Sequence, residues 1–349
     1  MVLKRLAGIA ILLLLIGTLG GCGSTAEGRS DPGDSNGVRP ADAGSEAIGK
    51  EEKGTLISVN ADRYLILGDR AFFLFTYSAA AAEQYADALN RFREAADPQI
   101  RVYSLLAPTS AEFVDNDELK RLSASQQAAF AHIGERLDSR IVQVDAYGAL
   151  KAHKDEYLFF RTDHHWTALG AYYAYVRLME TMDEQPVALD QYKTGTISPF
   201  LGSDYKATKS ERLGKSPDSI AYYVPFADYA YTARTTTGKT IKLRAVDPDY
   251  AKQGNGDYAV FLGGDFPSGE IETGSKNGRK LLVVKDSYAN ALIPFLIPHF
   301  ETIGYIDPRY FHGQLADYVK RQGITDVLFL DNSTVARTNG MAKLIEGIL

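Results

Sequence analysis

Three observations along the 349 residues predict an α/β fold, a parallel sheet flanked by helices. Strand-length apolar runs alternate with helical-period segments over residues 55–182, and the same alternation resumes over residues 281–349. Between them, residues 183–280 are polar, rich in Gly, Ser, Thr and Tyr, and break the rhythm, which predicts an inserted lid of loops and short strands.

Taken in order, Tyr64-Leu65-Ile66-Leu67 reads as a short strand. Residues 83–96 read as a helix with Tyr85, Leu89, Phe92 and Ala96 on one face. Residues 100–106 are a second strand, ended by Ala107-Pro108-Thr109; residues 125–137 are helical and 141–145 a third strand. Thr167 is placed to cap a helix whose apolar face is Leu169, Tyr172, Val176 and Met179. Inside the insertion, residues 240–246 and 258–262 are β-like. Then follow strand 281–284, helix 291–300, strand 302–306, helix 314–322, strand 326–330 and a last helix after Ser333. There is no internal repeat.

The N-terminus predicts the compartment. Lys4 and Arg5 precede the apolar run from Ile9 to Ile16, and Leu19-Gly20-Gly21-Cys22 closes it like a bacterial lipobox. Residues 1–22 are thus expected to be a lipoprotein signal peptide, with Cys22 lipidated and the chain anchored outside the cytoplasm on the bacterial membrane. Cys22 is the one cysteine, which excludes disulfides, zinc-cysteine sites and thiol catalysis within a single chain. Residues 23–54 are too poor in apolar side chains to offset ordering entropy and are expected to be a flexible tether spanning on the order of 30 Å. The folded domain is expected over residues 55–349. Removing Lys4 and Arg5 leaves 36 basic against 44 acidic residues, with no basic run interleaved with aromatics, which argues against nucleic acid as a partner. The 21 tyrosines suit either a polysaccharide-contacting surface or ordinary half-buried packing.

The chemistry concentrates in Arg161-Thr162-Asp163-His164-His165-Trp166-Thr167. A base that lifts a proton from a hydroxyl near neutral pH is usually a histidine held in one tautomer by a carboxylate. Asp163 and His165, two apart, can point to one side, which sends His164 the other way. The partner hydroxyl is Ser287 in Leu281-Leu282-Val283-Val284-Lys285-Asp286-Ser287-Tyr288, where a strand ends and a helix begins. That position aims the side chain into the crevice at the carboxyl ends of the strands. Four other readings stand beside this one. Ser287 is also a plausible helix cap, Asp163, His164 and His165 a metal site or a structural cluster, and the whole a binding protein without activity. The remaining histidines lack ligand spacing, so neither metal nor cofactor is expected.

Residues 157–170 together with Lys285-Asp286-Ser287-Tyr288-Ala289-Asn290 resemble the DHHW family, which is similar to the SGNH-hydrolase-like proteins of alginate O-acetylation. The resemblance implies a flavodoxin-like SGNH fold in circularly permuted block order, with Asp163, His165 and Ser287 as the triad. It further implies His164, Trp166 and Asp286 around that triad, and a role in moving an acetyl group onto or off a cell-envelope polysaccharide. The implied partner is a membrane O-acyltransferase that supplies acetyl groups. The family's Gly-Asp-Ser is Lys285-Asp286-Ser287 here, and no Gly block is evident. Asn332, after the strand-like Val327-Leu328-Phe329-Leu330, and Arg309 are the candidate oxyanion or substrate donors. Gly68-Asp69-Arg70 lacks a following serine.

Overall fold

The computed structural model describes residues 48–253 and 256–349. The expected signal peptide, Cys22 and most of the expected tether lie outside the described residues. The part of that tether that is described is tied to the domain: Asn116 donates to the Gly49 and Glu52 carbonyls at 2.9 Å, and the Gly54 N–H donates to Glu118.

The core is an eight-stranded sheet. Its strands are β4 (Arg101–Ala107), β5 (Ile141–Val144), β8 (Tyr229–Arg234), β9 (Thr240–Leu243), β10 (Ser268–Thr273), β11 (Lys280–Lys285), β12 (Thr302–Ile306) and β13 (Asp326–Asn332). The order is β5-β4-β13-β11-β12-β10-β8-β9; the first five run parallel, and β10, β8 and β9 continue antiparallel. The expected parallel sheet is therefore present, and the region read as an insertion extends it by three strands rather than only covering it.

Both faces of β4, β13, β11 and β12 are buried, so these strands read as apolar runs, while the edge strand β5 exposes Val142 and Gln143. Alternate residues serve opposite cores. Leu281, Val283, Leu328 and Leu330 pack with the helices α4 (Ala146–Ala152), α5 (Ala168–Thr181) and α8 (Ala289–Leu296). Leu282, Val284, Val327 and Phe329 pack with α1 (Ala79–Ala95), α3 (Gln126–Arg136), α9 (Leu315–Gln322) and α10 (Gly340–Glu346). After β11 the chain leaves toward the first core through α8, and after β13 it leaves toward the second through Val335 and Ala336. Neighbouring strands with exits on opposite faces open a crevice at their carboxyl ends.

Several expectations change. The run Tyr64 to Leu67 is a strand, but it belongs to a separate antiparallel meander of β1 (Thr55–Val59), β2 (Asp62–Leu67) and β3 (Arg70–Phe73). The β-like run at 258–262 is instead a short 3₁₀ turn, Asp257–Val260. Thr167 does cap α5, accepting from the Gly170 N–H at 3.2 Å, but the buried face of α5 is Ala171, Ala174, Tyr175, Leu178 and Met179. Leu169, Tyr172 and Val176 are only half-buried at its flank. The small Ala171 and Ala174 let α5 approach closely, which brings Tyr175, Leu178 and Met179 into the same contact face. A hairpin of β6 (Lys193–Phe200) and β7 (Asp218–Val224) packs beside α5, and the short helices α2 (Asp117–Leu122), α6 (Ser203–Thr208) and α7 (Glu211–Gly214) complete the chain order. Among the described residues no helix is long and apolar enough to cross a membrane.

Candidate active site

Ser287 follows the central strand β11, and its hydroxyl lies 2.7 Å from His165 Nε2. His165 Nδ1 lies 2.6 Å from Asp163 Oδ1, which also accepts from the His165 N–H at 2.9 Å. The second carboxylate oxygen of Asp163 accepts from the Ser203 N–H at 2.7 Å. Burial alone would raise the Asp163 carboxyl, but the imidazoles of His165 and His164 and these hydrogen bonds hold it well below the usual carboxylate range. An ionised Asp163 accepts only, so Nδ1 of His165 carries the proton and Nε2 is left to accept from Ser287.

The imidazole is clamped between rings. Tyr258 stacks on it with centroids 4.1 Å apart and planes at 12°, and His164 lies 4.0 Å away on a tilted plane. Trp166, fully buried, donates to the Tyr288 carbonyl at 2.9 Å, and Tyr288 returns a hydrogen bond to the His164 carbonyl. Burying that indole is worth on the order of 3–5 kcal/mol by comparison with Trp truncations, and it ties the Asp163–His165 turn to the Ser287 turn.

Asp286 anchors the Ser287 turn. Its carboxylate accepts from the Tyr288 N–H at 2.8 Å and from both the backbone N–H and the side-chain amide of Asn332, at 2.7 and 2.6 Å. Burial raises its carboxyl against the pull of those donors. Asn332 thus spends amide hydrogen-bonding capacity on bracing β11 against β13, while its Oδ1 accepts from Thr334. Arg309 is held by Asp307 and Asp265, with contacts of 2.6–2.9 Å through Nε and NH2. Asp265 also meets the buried Lys285 at 3.4 Å and the Asn290 amide at 2.9 Å. Among the described residues no hydrogen bond uses Arg309 NH1 or the Ser287 N–H.

The sequence reading missed the residues that position this relay from the 183–280 segment. Asp218, fully buried on β7, accepts from the Arg161 and Thr162 N–H groups, Arg161 Nε, Thr162 Oγ1 and the Tyr157 hydroxyl. Gly202 packs so tightly on Asp163 that a Cβ there would lie 2.2 Å from the Asp163 Cβ. No local pattern marks Asp218 or Tyr258. Asp265 does carry a signal, because it follows Gly263 and Gly264, both at positive φ. Asp69, set aside in sequence, instead receives Arg161 at 3.1 Å. Asp218→Asn keeps the shape but turns one acceptor into a donor facing donors. The expected result is at least a tenfold drop in kcat with KM little changed and a lower urea midpoint; unchanged kcat would show that Asp218 does not position Asp163.

Asp163, His164 and His165 offer ligand atoms within 4.8 Å of one another. Hydrogen bonds already engage both ring nitrogens of His165 and both oxygens of Asp163, so the donor set fits a proton relay better than a cation's shell.

The comparisons with known proteins agree with this architecture. The DHHW protein family matches residues 31–306. A crystal structure of a DHHW family protein from Eubacterium siraeum is 35% identical, with a TM-score of 0.76 over 85% of this chain and 99% of that one. Bacillus cereus PatB1 with a sulfonyl adduct is similar in fold at 21% identity, with a TM-score of 0.68 over 81% of this chain and 98% of that one. Another structure of Bacillus cereus PatB1 is 20% identical, with a TM-score of 0.63 over the same shares. No curated protein matches the chain. With the family's Asp-His-His-Trp run standing at residues 163–166 and the match spanning most of the sequence, this chain belongs to the DHHW family.

Proposed function

We propose that the protein moves an acetyl group onto or off a cell-envelope polysaccharide through an acetyl-Ser287 intermediate, on an SGNH-type fold whose Asp and His precede the serine in sequence. The observation that carries this reading is the continuous relay from Asp163 through His165 to the Ser287 hydroxyl at the end of β11. His165 Nε2 takes the Ser287 proton as Oγ attacks the acetyl carbonyl, and returns it to the departing oxygen; Asp163 stabilises the imidazolium between the two steps. The Ser287 N–H and Arg309 NH1, free of hydrogen bonds among the described residues, are the donors best available to the oxyanion. Asn332, with its Oδ1 and an amide N–H already engaged, supports the turn instead.

Cys22 as a lipid anchor, with the polar residues that follow it as a tether, would hold the enzyme on the outer side of the membrane, within reach of a membrane O-acyltransferase as acetyl donor. A Cys22→Ala chain released from membranes by a salt wash is the expected result; one that stays bound removes the anchor. The catalytic reading is tested with phenylmethanesulfonyl fluoride. Mass measurement should place the label on Ser287 and show labelling slowed at least a hundredfold by His165→Ala. Absence of label in the folded protein, with no acetyl ester cleaved, would leave a binding protein without activity.

A further inference from the structure

His164 packs against the His165 ring and is the most exposed of Asp163, His164 and His165. Its Nδ1 lies 2.7 Å from Ser203 Oγ, and the Asp204 carboxyl lies 3.9 Å from the same nitrogen. The side chain is 37% exposed, against 9% for His165 and 5% for Asp163. One edge of the ring is therefore fixed, and its Nε2 has no hydrogen-bond partner among the described residues. Partial burial and the neighbouring His165 push its pKa below the usual histidine value, so the ring is neutral at neutral pH. It cannot replace His165 as the base, because His165 holds the Ser287 hydroxyl.

We propose that His164 Nε2 forms the acceptor subsite and holds a hydroxyl of an uncharged stretch of sugar that receives the acetyl group. This rests on the acetyl-Ser287 reading above. The chemistry of the surroundings selects the ligand class. A neutral imidazole offers one donor or acceptor and no charge. The Asp163 carboxylate disfavours an anion, and the nearby cations Arg309 and Lys285 are already balanced by Asp265 and Asp307. In the transfer step, the acceptor oxygen bonds to the acetyl carbon as the bond from that carbon to Ser287 Oγ breaks. The acceptor's proton passes to His165 Nε2 and from there to Ser287 Oγ. His164 exchanges no proton and only fixes the sugar.

The test loads the protein with 4-nitrophenyl acetate and follows the burst of nitrophenol. Acetyl products are then partitioned among water, methanol and an equimolar mixture of cellopentaose, chitopentaose and xylopentaose, for the wild type, His164→Gln and His164→Ala. Methanol needs no subsite, so the ratio of acetylated sugar to methyl acetate reports the subsite, scored per acetyl-enzyme formed. One lost hydrogen bond predicts a ratio about fivefold lower in His164→Ala, with part of it kept in His164→Gln, whose amide still donates and accepts. An equal ratio in all three proteins overturns the proposal. So does a parallel fall in sugar and methanol products, which makes His164 a positioning residue for His165, and so does a wild type that acetylates methanol but none of the sugars. A wild type that releases no nitrophenol from the ester fails differently, since it removes the acetyl-Ser287 reading itself.

Discussion

Replacing Ser287 by Ala is expected to lower kcat on an acetyl ester by on the order of 10⁵–10⁶-fold, and His165→Ala by about as much. The double variant should be no worse than either single one. The physical reason is the 2.7 Å contact between the two groups: the hydroxyl is a weak nucleophile unless Nε2 takes its proton, and Nε2 has no other task in the step. What survives should be the contribution of the oxyanion donors and of binding. The measurement is kcat with 4-nitrophenyl acetate for both single variants and the double variant, with urea midpoints to show that each is folded. Effects of the two substitutions that multiply would mean two independent roles. Activity that persists in Ser287→Ala but is lost to a chelator would hand the chemistry to a metal held by Asp163, His164 and His165.

Asp163→Asn carries the second large effect, a loss of up to about 10⁴-fold in kcat with the backbone intact. The asparagine can present its amide to His165 Nδ1, which favours the tautomer with the proton on Nε2, where it blocks acceptance from Ser287. The buried relay also loses the charge that stabilises the imidazolium. Stability should move as well, and its sign follows from the lowered carboxyl. A group whose folded pKa lies below its unfolded value stabilises the fold above the unfolded value, near 3.9, and loses that contribution as pH falls through the folded value. The wild type should therefore be more stable than Asp163→Asn at pH 7, with the difference shrinking below about pH 4. Urea melts at pH 7 and pH 3.5 check this; a difference that grows in acid would show that Asp163 is not held ionised by its partners.

The sequence alone marked the candidate relay residues and the alternation of elements. Asp163, His165 and Ser287 were legible because their settings are local: a carboxylate and imidazoles within three positions ahead of a capped helix, and a serine directly after an apolar strand. The strands β4, β11, β12 and β13 were legible because burial on both faces leaves unbroken apolar runs. Only the tertiary structure decided what surrounds them. Asp218 bonds to Arg161 across 57 positions, Ser203 to Asp163 across 40, and Tyr258 reaches His165 from a polar segment with no period of its own. A one-dimensional pattern reports which face of an element is apolar. It does not report which element that face will meet. For the same reason the first strand-like run joined a separate meander, and α5 buried Ala171 and Ala174 in place of Leu169 and Tyr172. Packing selects the side chains that allow close approach, and the donors that brace a buried carboxylate come from wherever the fold brings the chain back.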